Sequence, residues 1–378
     1  MIQVSKPSLG PDELAAVGAV FDSGWLGLGA TTYAFEQALS AKFGGREVVA
    51  VNTGSAALHL ALASLRLEPG DEVIVPSVTF AASIQTILAA GGTPVFCESR
   101  DQDLLVDVDD IERRLTPKTR AIMPVHYCGQ ACDMDRLLSL ARRHGLTIVE
   151  DAAHAFGSTY QGRPVGGFGD LTCFSFDPIK NITCGEGGAV VTGSTEVADA
   201  LRRMRLLGIN KDTWHRYRNT RSWHYEVTGP GFRYHMPNFC AAVGLAQLPK
   251  LDGFVARRRA IARAYDARFA ALPAVQTLAV DYREAAPHIY IVRVGASARD
   301  AFMAHLAARG VGSGIHYIAN HIQPYFARYV REPLPRADRL WQEIVTLPLY
   351  ADLTDDEVAT VIAAVESYEE SGAAAGQR

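Results

Sequence analysis

Four short stretches of this chain carry residue types that could do chemistry together. In Asp170–Gly188 (DLTCFSFDPIKNITCGEGG), Phe174-Ser175-Phe176 closes a predicted strand. Lys180 follows the serine by five residues, and Gly185, Gly187 and Gly188 build the next turn. A lone lysine is most often a solvated surface charge. In an apolar, glycine-rich strand–loop–strand the other reading is a Schiff-base lysine, its amine made nucleophilic by burial or a neighbouring cation. Ser175 would then offer its hydroxyl to an anionic group bound beside it.

The second stretch is Val149-Glu150-Asp151-Ala152-Ala153-His154. Asp151 falls at the C-terminal end of a predicted strand, where open α/β sheets bind their ligands. A carboxylate there can keep a ring nitrogen protonated, which is what pyridoxal phosphate needs to act as an electron sink. Taken singly, Asp151 reads equally as a helix N-cap, and His154 as a structural histidine. The third stretch, Val51–Leu58 (VNTGSAAL), runs from strand through turn to helix. Free N–H groups at a helix N-terminus suit a phosphate, and Gly54 permits close approach; many such junctions bind nothing. In the fourth, Phe80 follows a strand end and either packs in the core or stacks on an aromatic ring. All four stretches fall at strand C-terminal ends, and their conjunction is far less probable by chance than any member alone.

These residues need elements to position them. Val48–Val51, Glu72–Pro76, Pro94–Cys97, Ala121–Val125 and Thr147–Glu150 read as short buried strands. They alternate with helical patterns at Thr32–Phe43, Ser55–Leu65, Phe80–Ala90 and Met134–His144. That alternation predicts parallel βαβ units. Leu171–Phe176 and Ala189–Thr192, closely spaced, predict a sheet of mixed direction. Helices follow at Cys240–Leu248 and Leu251–Leu272, broken near Pro249. Strands at His288–Val294 and Gly314–Tyr317 and helices at Arg299–Arg309 and Thr354–Glu370 complete the pattern. The expected fold is α/β: a large α/β/α domain over 1–250 with a mixed, mostly parallel sheet, and a smaller α+β domain over 251–378.

The 378 residues carry 37 Lys+Arg and 41 Asp+Glu, a net charge of −4, with no run of five or six like charges. That balance excludes a nucleic-acid-binding surface of ordinary kind. No uninterrupted apolar stretch reaches the roughly 18 residues of a membrane span. The N-terminus has no apolar signal core, and six cysteines in such a length make no disulfide scaffold. Together these predict a cytoplasmic enzyme with reduced thiols. His126, Cys128 and Cys132 lack ordinary zinc spacing, so no metal is expected.

Read whole, the chain resembles the DegT/DnrJ/StrS family of sugar aminotransferases, fold-type-I enzymes dependent on pyridoxal phosphate. The resemblance rests on SGWLGLGATTYAFE at Ser23–Glu36, NTGSAALHLAL at Asn52–Leu62 and GDEVIVPSVTFAAS at Gly70–Ser83. It continues through MPVHYCGQACDMD at Met123–Asp135, EDAAHAFGSTYQG at Glu150–Gly162, FSFDPIKNITCGEGG at Phe174–Gly188 and AAVGLAQL at Ala241–Leu248. GIHY at Gly314–Tyr317 and LPLY at Leu347–Tyr350 extend it to the C-terminal part.

The resemblance implies that Lys180 is the Schiff-base lysine and proton carrier, that Asp151 holds the ring nitrogen protonated and that His154 lies near the ring's phenolic oxygen. Gly54, Ser55, Ala56 and Ser175 would hold the phosphate, Phe80 would stack on the ring, and His316 and Tyr317 would contact the acceptor. It also implies a homodimer with shared active sites, an amino-acid donor such as L-glutamate, and a keto-sugar acceptor linked to a nucleotide. One departure stands out. Where the family shows G-x-N-x-R-M, with an asparagine that reaches the neighbouring subunit's phosphate, this chain has Gly231-Phe232-Arg233-Tyr234-His235-Met236. Arg233 in place of the asparagine suits either that phosphate or an anionic acceptor. It keeps open a keto-cyclitol or an acidic keto sugar. Lys180 argues against the family's dehydratase branch, which carries histidine there, and intact Lys180, Asp151 and Ser175 argue against a non-catalytic homologue. The Arg-, His- and Trp-rich segment Leu206–Glu226 reads either as a loop closing over an anionic acceptor or as a solvated loop.

Overall fold

The computed structural model describes residues 1–210 and 225–370. Most of the segment Leu206–Glu226 singled out above lies outside them.

Seven strands form the central sheet: β1 (Glu47–Val51), β2 (Glu72–Pro76), β3 (Thr93–Cys97), β4 (Thr119–Ile122), β5 (Thr147–Asp151), β8 (Leu171–Ser175) and β9 (Gly188–Thr192). A two-stranded hairpin of β6 (Thr159–Tyr160) and β7 (Arg163–Pro164) leads from β5 toward β8. The sheet order is β1-β9-β8-β5-β4-β2-β3. β9 alone runs antiparallel to its neighbours β1 and β8, and the other pairs are parallel. The C-terminal ends of β1, β2, β4, β5 and β8 therefore share one edge with the start of β9. The loop from Ser175 to Gly188, which carries Lys180, is held at that same edge.

These strands are buried on both faces, as runs such as Val-Ile-Val and Val-Val-Ala-Val require. Burying each such side chain contributes about 1.5–3 kcal/mol. The helix Gly54–Ser64 is apolar all round and buried continuously from Ala56 to Leu62, so it lies inside the core. Met134–His144 instead buries one stripe (Met134, Leu137, Leu140, Ala141) and gives its arginines to solvent.

Helix Asn238–Gln247 leads through a 3₁₀ turn at Leu248–Lys250, where Pro249 lacks an N–H, into Leu251–Phe269. The combined run Asn238–Phe269 is long and apolar enough to cross a membrane by length and composition. Here Leu251, Val255, Ile261, Tyr265 and Phe269 are buried in the protein's own core.

A second, three-stranded antiparallel sheet follows: β10 (Gln276–Thr277), β11 (Tyr290–Arg293) and β12 (Ile344–Leu347). Ile2 pairs with Val311, so the first residues lie on this second body. Ala319, Phe326, Leu334 and Leu340 pack into the core of the first.

Two sequence expectations need correcting. Gly314–Tyr317 is not a strand: only Gly314 pairs, with Thr346, and the chain then leaves the sheet toward the first body. β12 was not anticipated, because helix Pro335–Glu343 runs straight into it with no Gly, Pro or Asn to mark the change.

Candidate active site

A cavity of about 410 Å³ opens at the shared strand edge. Thr53, Gly54 and Ser55 reach it from the β1 end, Thr79 and Phe80 from the β2 end, and Asp151 and His154 from the β5 end. Ser175, Asp177, Lys180 and Glu186 reach it from the loop between β8 and β9, and His316 and Tyr317 from the chain that leaves β12's flank.

Asp151 is buried and accepts hydrogen bonds from Ser83 Oγ at 2.7 Å and from the Ala153 amide at 3.2 Å. Burial raises its carboxyl above the usual range against these two donors and Lys180. A cation brought to Asp151 would offset that cost. Lys180 faces the reverse pressure: burial lowers its amine to about 8, opposed by Asp177 and Asp151. An amine so tuned is about one-tenth uncharged at pH 7, against well under a thousandth for a solvated lysine, and the uncharged form is the one a nucleophilic amine needs.

The histidines around it are neutral for the same reason. Burial first, and Lys180 second, hold His154 well below its ordinary range and bring His316 to about 4. His154 Nε2 lies 2.9 Å from the Tyr317 hydroxyl, while its Nδ1 is buried without a partner among the described residues. His316 Nδ1 is 2.8 Å from Thr346 Oγ1. Tyr127 donates its hydroxyl hydrogen to the His316 carbonyl. Phe80 stands 57% exposed, 5.6 Å from the Tyr317 ring, with a face open to a planar ligand.

The anion cradle is built by close packing. Thr53 caps the helix Gly54–Ser64 by accepting the Ala56 amide at 3.0 Å, which leaves the Gly54 and Ser55 N–H groups with no acceptor inside the helix. Ala56's own amide is therefore engaged by the cap. A Cβ on Gly54 would fall 2.7 Å from Ser175 Cβ, so the glycine lets the two loops meet. Gly188 is equally constrained, since its Cβ would fall 2.4 Å from the Thr53 carbonyl oxygen.

The residues present fit pyridoxal phosphate. Asp151 is a buried carboxylate with no ion pair among the described residues, a lysine whose amine burial has lowered lines the same cavity, free N–H groups and a serine meet at a glycine, and an aromatic ring lies open. Arg233 is not brought into this cavity. It is exposed, on a segment whose main chain pairs with Leu206, and it lies outside the lining residues of its own chain.

Sequence reasoning missed Ser83, Asp177, Glu186 and His288. Ser83 sits inside the quoted GDEVIVPSVTFAAS motif, three residues beyond Phe80, with nothing local to single it out. His288 precedes β11, and its Nε2 lies 3.3 Å from Lys180 Nζ across 108 residues of sequence. His126, Cys128 and Cys132 do not form a cluster of metal ligands: His126 bonds Glu150 at 2.8 Å and the Cys132 amide at 3.1 Å.

Comparison with known proteins shows the family. Residues 7–366 match the model of the DegT/DnrJ/EryC1/StrS aminotransferase family. The spore coat polysaccharide biosynthesis protein SpsC of Bacillus subtilis (strain 168) is 40% identical over 370 residues, covering 96% of this chain and 95% of that protein. Spr1654 of Streptococcus pneumoniae in its PMP form superposes with a TM-score of 0.92 at 31% identity, covering 98% of this chain and 100% of that one. The same protein is also known in its PLP form. DesV of S. venezuelae, in complex with a ketimine intermediate, gives a TM-score of 0.88 at 37% identity, covering 95% and 94%. The chain belongs to the DegT/DnrJ/EryC1/StrS aminotransferase family and is a pyridoxal phosphate-dependent aminotransferase.

Proposed function

We propose that this aminotransferase moves an amino group from L-glutamate to the keto carbon of a nucleotide-linked sugar, in the making of an amino sugar. The observation that carries the reading is Lys180 and Asp151 facing one cavity, with Gly54, Ser55 and Ser175 at one end of it. The name of SpsC, a spore coat polysaccharide biosynthesis protein, supports a sugar acceptor. Among the described residues no arginine lines the cavity, and Asp177 and Glu186 stand at it. That balance favours an uncharged, hydroxyl-rich ring over an acidic keto sugar.

Pyridoxal phosphate, when bound, supplies a conjugated ring that takes up the electron pair left when a proton leaves the amino-bearing carbon. The chain's residues do the rest. Lys180 Nζ holds the cofactor and moves the proton, Asp151 orients the ring and keeps its nitrogen protonated, and Phe80 covers one face. The Gly54 and Ser55 amides and the Ser175 hydroxyl hold the phosphate. His154 and Tyr317 act as a pair beside the ring, with His316 on the acceptor side. Arg233, exposed on its own chain, serves the phosphate of the partner in a cytoplasmic homodimer. We take the division at 250/251 as that between the cofactor body and the smaller body.

The test is the visible spectrum of the purified protein before and after L-glutamate. A yellow band that bleaches supports cofactor, donor and lysine together. An unresponsive band overturns the donor, and the absence of a band after addition of pyridoxal phosphate overturns the role of Lys180. Arg233→Ala should weaken cofactor binding in the dimer; unchanged cofactor affinity would remove Arg233 from the site.

A further inference from the structure

His288 belongs to none of the motifs discussed above, yet its ring is 1% exposed and reaches Lys180, with Nε2 3.3 Å from Nζ. Its Nδ1 has no partner among the described residues, so the lysine is the polar partner the ring has there. The ring packs 4.5 Å from that of His154. Its main chain is pinned from below: Arg258, itself buried, donates from one Nη1 to the His288 carbonyl at 3.1 Å and to the Leu349 carbonyl at 3.0 Å. No carboxylate lies within ion-pair distance of Arg258 among the described residues. A guanidinium without a carboxylate and an imidazole nitrogen without a partner are both costly to bury. Apolar side chains of similar size would make a more stable core. Costly choices of this kind, stacked directly behind a reactive group, point to function.

We propose that His288 is a positioning residue for Lys180: its Nε2 accepts a hydrogen bond from the uncharged amine and fixes the Cε–Nζ torsion, while Arg258 fixes His288 through its main chain. The inference rests on the role of Lys180 given above. With Nδ1 carrying the ring's own proton, Nε2 is an acceptor. One N–H of the amine is then directed at His288, and the lone pair is confined to the two remaining staggered positions. Freezing that torsion before reaction removes an entropic cost from each capture of a carbonyl by Lys180. Burial beside Lys180, His154 and Arg258 holds the imidazole well below its ordinary range, which keeps it an acceptor.

The test uses the full-length protein freed of cofactor. Lys180 is labelled with formaldehyde and cyanoborohydride, and its peptide is followed by mass spectrometry. In His288→Leu, labelling should slow about tenfold, the factor a hydrogen bond of ordinary net strength supplies. The melting temperature should hold or rise, and in the reconstituted enzyme kcat should fall while KM for the donor stays within about twofold. His288→Gln, whose amide oxygen can stand near Nε2, should restore part of the labelling rate. Labelling of His288→Leu at the wild-type rate overturns the proposal, as does a lowered melting temperature in both variants with no rescue by Gln. If wild-type Lys180 is labelled but never captures pyridoxal phosphate, the proposed function fails while the labelling comparison still reads His288.

Discussion

One buried histidine and a group of three lie near the same sheet and are treated oppositely. His126, beneath the β4–β5 edge, is saturated: Nε2–H donates to Glu150 at 2.8 Å and Nδ1 accepts the Cys132 amide at 3.1 Å. Glu150 in turn accepts from Thr172 Oγ1 at 2.6 Å and the Gly169 amide at 2.9 Å, and His126, followed by these two donors, holds it below the usual carboxylate range despite burial. The cavity group of His154, His288 and His316 is left open. Two of its rings have an Nδ1 with no partner among the described residues, and all three are kept neutral by burial beside Lys180. A complete polar network fixes a fold, whereas an incomplete one around a lysine leaves bonding capacity for a ligand.

The contrast can be broken at several points. Lys180→Ala should lower transamination by on the order of 10⁴-fold or more, since the proton carrier is lost, and leave the melting temperature in place. Activity near wild type with glutamate would refute the assigned role. Asp151→Asn should cost on the order of 10²–10³ in turnover, as loss of a preorganised charge partner does, while the cofactor's visible band persists. A variant with full turnover would take Asp151 out of the chemistry.

On the saturated side the order of effects inverts. His126→Leu removes a donor from buried Glu150 and should cost about 3 kcal/mol of stability. Per folded molecule its kcat should stay near wild type; a selective loss of kcat in urea-titrated, fully folded protein would erase the distinction drawn here. Gly54→Ala is smaller again. Its Cβ must displace Ser175, at about 1–3 kcal/mol, with cofactor affinity falling about tenfold.

The mildest probe is pH. Burial places the Lys180 amine at about 8, so its uncharged fraction, and with it the rate of aldehyde capture, should rise with a midpoint near pH 8. A midpoint near the ordinary lysine value of 10.5 would mean that the amine is solvated, not buried. The direction follows from the charge: burial disfavours the ammonium, so protons leave at lower pH than in the unfolded chain.

Much of the fold was legible because periodicity reports burial directly. Glu72–Pro76 and Met134–His144 fall on the expected residues, and the close spacing of β8 and β9 anticipated the antiparallel strand. Gly314–Tyr317 misled because β-branched and aromatic neighbours look alike whether they pair in a sheet or turn to line a cavity. Within the site, Lys180, Asp151, Ser175 and Gly54 stood out through local setting: a charge or a glycine at a strand end. Ser83 and His288 had no such setting, since a serine in a helix's first turn and a histidine before a strand are ordinary.

The sequence by itself determined the family, the cofactor chemistry and the alternation of strands and helices in the first body, because each is written in short-range pattern and residue type. Only the tertiary structure decided which groups meet. It set Ser83 on Asp151, closed Gly54 against Ser175, left Arg233 outside its own cavity and brought His288 to Lys180. Those are distances across 68 to 121 residues of chain, and the reason they escape the sequence is physical. Such contacts are fixed by how helices and sheet pack together, and packing responds to the volume and register of the whole core, not to the identity of the residues that finally touch.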